Sequence, residues 1–298
     1  MTSPAHRQMR FATLLRESGR TFITLGILVL LFAGYQNWVT DTTQHRSQSA
    51  LQKEVTKVIT GKPVTSVIGP NTPLPTSKDP GVGHWLGMLS IPTISLNQVI
   101  VDGTDKSQLQ LGPGHYIGTA MPGEVGNVGI AGHRTTWGRP FRNLDKLHKG
   151  DQIFISTPRA AVMYHVVWIK VVSPTDMSVI APTTTPSLTL TTCNPPYSAA
   201  SRLIVRAELG AVGKIHTETP TWTVTEMQSS KLLKNQEHYP KWPVLLYGIL
   251  LVLILVLGER RRRRTARPVV AIIATLIFAL PVTFLWFNAI AHILPAGI

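Results

Sequence analysis

The chain has a single cysteine, Cys193, in 298 residues, so no disulfide can form within it. Acid is scarce as well: 15 Asp and Glu stand against 29 Lys and Arg, a formal net charge of +14 at pH 7. Sites for hard cations need several carboxylates brought together. Here Glu124 and Asp176 each stand alone in a loop, so no metal and no other cofactor is expected. Glycines are spread through turns, as in Gly112-Pro-Gly114 and from Gly123 to Gly132, without the spacing of a nucleotide fingerprint. No internal repeat is evident, which argues against a solenoid or a propeller.

What is present is unevenly placed. Much of the 44% hydrophobic content falls in three runs, at 21–39, 241–258 and 268–290. The first, with Phe22-Ile-Thr-Leu-Gly-Ile-Leu-Val-Leu-Leu-Phe32 free of charge, is long enough as a helix to cross roughly 30 Å of hydrocarbon. A basic segment with Arg7, Arg10, Arg16 and Arg20 precedes it, as in a signal peptide, but the small-residue cleavage pattern is poor. Tyr35 and Trp38 are placed as interfacial anchors, so a retained span is expected. Arg260 to Arg264 and Arg267 separate the second and third runs.

Positive charge stays on the cytoplasmic side, and three spans satisfy that rule at both basic segments. The expected organisation is a cytoplasmic basic segment (1–20), a span (21–39), an extracellular stalk and linker (40–81) and a folded domain (82–212). A polar connector (213–240), a span (241–258), a cytoplasmic arginine-rich loop (259–267), a span (268–290) and a short outer tail (291–298) follow. The net charge then needs no nucleic acid to explain it, and the arginine run suits anionic lipid headgroups.

Between 82 and 212 the strand candidates are short and punctuated by Gly and Pro. They include Leu86 to Ile91, Ile94 to Val101, Asn127 to Ala131, Gln152 to Ser156, Ala161 to Val172, Ser187 to Cys193 and Leu203 to Leu209. Almost no helix interrupts them, apart from a short piece expected over Pro140 to Leu147. The pattern fits a mainly β fold, either a closed barrel or a sandwich.

Leu188, Leu190 and Thr192 alternate with Thr189, Thr191 and Cys193, which puts the thiol at a strand end. Arg202 opens the next strand nine positions later, so both side chains can face one spot, a nucleophile beside an oxyanion donor. A lone thiol outside the cytosol is a candidate for reactivity, although unpaired cysteines are most often small buried hydrophobes. The proton carrier would be a histidine. His133 emerges at a strand end and is favoured over His115, while His84, His148 and His165 read as structural. Arg206 shares the strand face of Arg202, so spacing alone leaves it open.

Three motifs in order, Ala131-Gly-His133-Arg-Thr-Thr-Trp-Gly-Arg-Pro-Phe141, Thr189-Leu-Thr-Thr-Cys193 and Arg202, resemble the sortases, the cysteine transpeptidases of Gram-positive cell surfaces. The segment Gly112-Pro-Gly-His-Tyr-Ile-Gly-Thr-Ala-Met-Pro-Gly123 is most similar to class E. The resemblance covers about Leu86 to Leu209. It implies an eight-stranded sortase β-barrel in which His133, Cys193 and Arg202 converge as catalytic residues. Tyr116, Thr191 and Arg134, with the loop Ser173 to Pro186, would be the substrate-side contacts. It also implies cleavage of a Leu-Pro-x-Thr-Gly or Leu-Ala-x-Thr-Gly sorting signal on a surface protein. The cleaved protein would then be joined to an amine of a cell-wall precursor or a pilin. Other readings are a pilin-polymerising class C enzyme, faintly echoed by Asp79-Pro80 and Trp85, a hydrolytic cysteine peptidase, and a membrane-tethered binding domain without activity.

Overall fold

The structure is a computed structural model of the chain and describes residues 4–59, 64–68, 72–77, 79–215 and 241–293. Helix α1 runs from Pro4 to Ile59, and strand β1 (Val64–Ile68) follows. The folded body is built from β2 (Trp85–Ile91), β3 (Leu96–Asp102), α2 (Lys106–Leu109), β4 (Gly114–His115), β5 (Asn127–Ala131), β6 (Gln152–Ser156), β7 (Ala160–Val172), β8 (Ser187–Asn194) and β9 (Ser201–Ile215). Helices α3 (Trp242–Arg264) and α4 (Pro268–Ile293) end the described chain.

Period-two alternation in the strands decides which side chains share an interior. Leu188 and Leu190 of β8, Leu203, Val205 and Ala207 of β9, Val162, Tyr164 and Val166 of β7, and Val128 and Ile130 of β5 all enter one buried cluster. Strand order is β9-β7-β6-β2-β3-β4-β5-β8, and β8 pairs back onto β9, so eight strands close into a barrel. Closure leaves no free edge around the ring, and it settles in favour of the barrel what alternation alone left open. Strand β9 is long enough for two partners on one edge: Ser201 to Glu208 pair with β8, and Val212 to Ile215 pair with β1.

The stretch 40–81 departs from the expected stalk. Residues 40–59 continue α1 without a break, and that half of the helix lies on the outside of the barrel. Leu51 and Val55 bury themselves with Trp85, Val99, Val101 and Leu111. Gln48 does the work of a missing strand: its amide nitrogen donates to the carbonyls of Val99 (3.0 Å) and Leu111 (2.8 Å), and the Val99 N–H donates to its oxygen (2.8 Å). Backbone groups that would otherwise be buried unpaired are thereby satisfied. The contact face repeats as Gln44, Gln48, Leu51 and Val55, a helical spacing whose glutamines hide it from an apolar pattern search.

The arginine-rich segment also departs from a loop, because α3 stays helical through Arg264. Arginine is a good helix former, and cations at a helix C-terminus complement its dipole. Helices α1, α3 and α4 are each long and apolar enough to cross a membrane. Tyr35 of α1 donates to Asn288 of α4 (3.1 Å), and Phe32, Tyr35, Phe284 and Phe287 pack edge-to-face beside that bond. Lys106 of α2 donates to the Ala291 carbonyl at the end of α4 (3.1 Å), so the last helix touches the barrel. The short helical piece expected over Pro140 to Leu147 is reduced to a 3-10 turn at Leu144–Lys146. Most of the expected connector, 216–240, lies outside the described residues.

Candidate active site

Strand β8 lies between β9, which is antiparallel to it, and β5, which is parallel. On the β9 side Cys193 and Arg202 are directly opposed, and Arg202 Nη1 comes to 3.8 Å from Cys193 Sγ. The guanidinium is steered there by the β8–β9 turn, whose carbonyls at Ala199 and Ser201 each accept from Nη1 at 3.4 Å. On the β5 side Ala131 is aligned with Thr191. The pairing continues past the strand, since the Gly132 N–H donates to the Thr191 carbonyl (3.1 Å) and Thr192 Oγ1 donates to the Gly132 carbonyl (2.7 Å). Continued past Ala131 and Gly132, the same register leads the backbone of His133 towards the level of Cys193. Arg202 thus meets the thiol from β9, and His133 follows the end of β5 on the other side of β8.

Gly132 is required for that approach, because a Cβ there would lie 2.7 Å from the Phe141 ring. The same loop returns to bond the His133 carbonyl through the Phe141 N–H (3.0 Å). His133 is 1% exposed and Cys193 5% exposed, so both sit in a largely dry setting. Burial pushes the Cys193 thiol above its ordinary range, and the Arg202 and Arg134 charges pull it part of the way back. Burial therefore favours the protonated thiol over the thiolate.

That balance can be read by alkylation. The rate of carbamidomethylation of Cys193 by iodoacetamide is expected to keep rising beyond pH 9. Because both guanidinium charges lower the thiol's pKa, Arg202→Ala and Arg134→Ala should each move the inflection further up. A wild-type inflection at or below pH 8 would contradict the dominance of burial.

The other residues named from the sequence fall in distinct places. Tyr116 packs its ring over Gly129 and pairs its hydroxyl with Thr191 Oγ1 at 3.1 Å. Both belong to the outer face of the sheet, where Thr189 and Thr191 precede Cys193 along β8. Arg134 is buried and turned to its own protein: Nη1 donates to the Cys193 carbonyl (3.2 Å) and Asn194 Oδ1 (2.6 Å), and Nη2 lies 3.2 Å from Asp145. It clamps the histidine loop to the end of the nucleophile strand. Arg206 is occupied elsewhere, donating to the Val179 carbonyl (2.8 Å) and Ser187 Oγ (3.1 Å) and so holding the 3-10 turn Met177–Ile180 over the outer face. His115 is sealed in the wall, with Nδ1 2.9 Å from Asp102 and Nε2 facing Thr119 Oγ1 and the Ala120 carbonyl.

Two site residues lacked a sequence signal. Asn127 donates to the Val179 and Ala181 carbonyls (3.1 and 3.2 Å) and accepts from Thr189, tying the same turn to the sheet. Asp41 reaches the loop after His133 from α1, accepting from the Gly138 N–H at 2.9 Å and pairing with Arg139. Their partners are some 50 to 98 positions away in the chain, so only the fold reveals them.

Residues 89–210 match the sortase domain family. Among curated relatives, sortase SrtE2 of Streptomyces coelicolor is 30% identical over 213 residues, 66% of this chain and 82% of that protein. The chain belongs to the sortase family.

Sortase SrtE1 of the same organism is 37% identical over 210 residues, and the match spans 64% of this chain and 55% of that protein. A solved structure described as sortase E1 from Streptomyces coelicolor with a tripeptide in the active site is 32% identical. It covers 46% of this chain and 94% of that one, with a TM-score of 0.42. Sortases are cysteine transpeptidases, and the two Streptomyces relatives place this sortase beside class E.

Proposed function

We propose that this sortase is a membrane-anchored transpeptidase that cuts a Leu-Pro-x-Thr-Gly or Leu-Ala-x-Thr-Gly signal between Thr and Gly. It then joins the new carboxyl end to an amine of the cell wall. The observation that carries the reading is Arg202 Nη1 3.8 Å from Cys193 Sγ, supported by the β5–β8 register that leads to His133 on the other side of that strand.

Cys193 Sγ attacks the threonine carbonyl carbon as His133 takes the thiol proton, and the carbonyl oxygen becomes an oxyanion. Arg202 donates to that oxyanion through its guanidinium. His133 returns the proton to the glycine nitrogen, the C–N bond breaks, and a thioacyl-enzyme remains. An incoming amine attacks the thioester, His133 takes its proton, and the C–S bond breaks to restore the thiol. Tyr116 and Thr191, on the outer face ahead of Cys193, are the wall against which the signal would lie, roofed by the 3-10 turn that Arg206 and Asn127 hold.

The basic first turns of α1 and the arginines at the end of α3 both belong inside by the charge rule, which puts the barrel outside and makes the protein multi-pass. Full-length protein in nanodiscs, given a fluorogenic sorting-signal peptide and triglycine, should form the peptide–triglycine product. Cys193→Ala should form none. Product from the alanine variant would sink the reading.

A further inference from the structure

Ahead of Cys193 along β8 the outer face is lined by Thr189, Thr191 and Tyr116, and its cation, Arg206 opposite Thr189, is engaged by Ser187 and the Val179 carbonyl. Beyond Cys193 the surface changes character. A cavity of about 210 Å³ opens there, walled by Arg134, Arg139, Arg142, Lys146, Asp145 and Tyr197 among others. A second, of about 260 Å³, shares Arg139, Arg142 and Asn143 with it. Two of the four cations are matched: Arg134 by Asp145 and Arg139 by Asp41. Arg142 and Lys146 have no carboxylate partner among the described residues, and both are exposed at the cavity's edge. Arg134 is 4% exposed, yet its Nε has no hydrogen-bond partner there. Tyr197 stands at the rim, 74% exposed.

We infer that this basic pocket seats an anionic group on the carrier of the acceptor amine, a carboxylate or a phosphate a short distance from the attacking nitrogen. The inference rests on the transpeptidase reading above and adds the chemical class of its second substrate. The leaving amine and the incoming amine must use the same approach to the thioacyl carbon, since the second half of the reaction reverses the first. The acyl portion keeps the face ahead of Cys193, where Arg206 is turned to the Val179 carbonyl. The acceptor is left with the side beyond it, where Arg134 follows His133 directly in the chain and forms the pocket wall. A concave surface with two unmatched cations concentrates anions and discriminates against neutral or cationic carriers.

The test uses full-length protein in nanodiscs and three acceptors that present the same glycyl amine: glycylglycine, glycylglycinamide and N-glycyl-aminoethyl phosphate. Two lost charge contacts of ordinary surface strength correspond to about a tenfold preference in kcat/KM for an anionic acceptor over the amide at low salt. The double variant Arg142→Ala with Lys146→Ala should bring that ratio to about one, as should raising the salt into the range where exposed charges are screened. Preference for the carboxylate alone, or for the phosphate alone, supports the pocket and identifies the source of the anion. Equal use of the amide and both anionic acceptors, or a ratio that survives in the double variant, overturns the inference while leaving transpeptidation in place. Cleavage of the peptide with no product from any amine overturns transpeptidation and this inference together.

Discussion

Arg202→Ala is expected to lower kcat/KM for the sorting-signal peptide by about a hundred- to a thousand-fold, the loss seen when a preorganised oxyanion donor is removed. Two effects act through one side chain. The guanidinium 3.8 Å from Sγ lowers the cost of forming the thiolate, and in the proposed mechanism it also donates to the oxyanion. They separate by substitution, because lysine keeps the charge but not the planar fork. Arg202→Lys should hold the alkylation inflection of Cys193 near the wild-type position while recovering only part of kcat. The side chain is partly exposed and its strand is held by the β8 and β7 ladders, so the alanine variant should still fold. Arg206→Ala is the control on the same strand face. Its nitrogens serve the Val179 carbonyl and Ser187, so it should loosen the 3-10 turn and raise KM more than it lowers kcat. If Arg206→Ala cost as much in kcat as Arg202→Ala, the oxyanion role would not belong to Arg202.

The parts of this site that sequence reveals are those carried by local alternation. Leu188, Leu190 and Thr192 against Thr189, Thr191 and Cys193 is a two-residue period, and a tight strand–turn–strand unit then determines that Cys193 faces Arg202. His133 was legible only as the residue after a glycine at a strand end. Its place on the β5 side of Cys193 depends on a parallel pairing between β5 and β8, sixty positions apart, and parallel partners leave no short-range turn signal. Arg134 shows the same limit. Next to the histidine it reads as either a loop-packing or a substrate-edge residue, and in the fold it bonds the Cys193 carbonyl and Asp145. The helical half of the expected stalk was hidden for a different reason: its barrel-facing stripe uses Gln44 and Gln48, whose amides pair with backbone and with Gln98 instead of burying carbon.

Asp41→Ala should lower kcat by about ten- to a hundred-fold while changing KM for the peptide little, because a displacement near 1 Å at a reacting group can cost on the order of a hundred-fold. Asp41 stands just after the first apolar run, on α1, and reaches the loop that follows His133. There Trp137, Gly138 and Arg139 have φ of 51°, 71° and 49°, three consecutive left-handed residues of which two carry a Cβ. Such conformations cost of order 1–3 kcal/mol each and persist only where the surroundings hold them. The holding is visible: the Gly138 N–H donates to Asp41 Oδ1 at 2.9 Å, the Arg139 guanidinium pairs with Oδ2, and the Trp137 N–H points at Thr40 Oγ1 at 3.4 Å. Successive amides in this geometry make a concave anion site, filled here by a carboxylate from the helix that reads as the membrane anchor. Helix and loop are in close contact at Gly138, where a Cβ would come within 2.1 Å of Gln44 Oε1. Without the carboxylate, the loop is expected to relax out of the left-handed region and carry His133 with it. Asp41→Asn keeps an acceptor for the Gly138 amide and should recover part of kcat. A purely structural role would lower the melting temperature of both variants and leave kcat at 25 °C alone, and that outcome would detach the anchor helix from the chemistry.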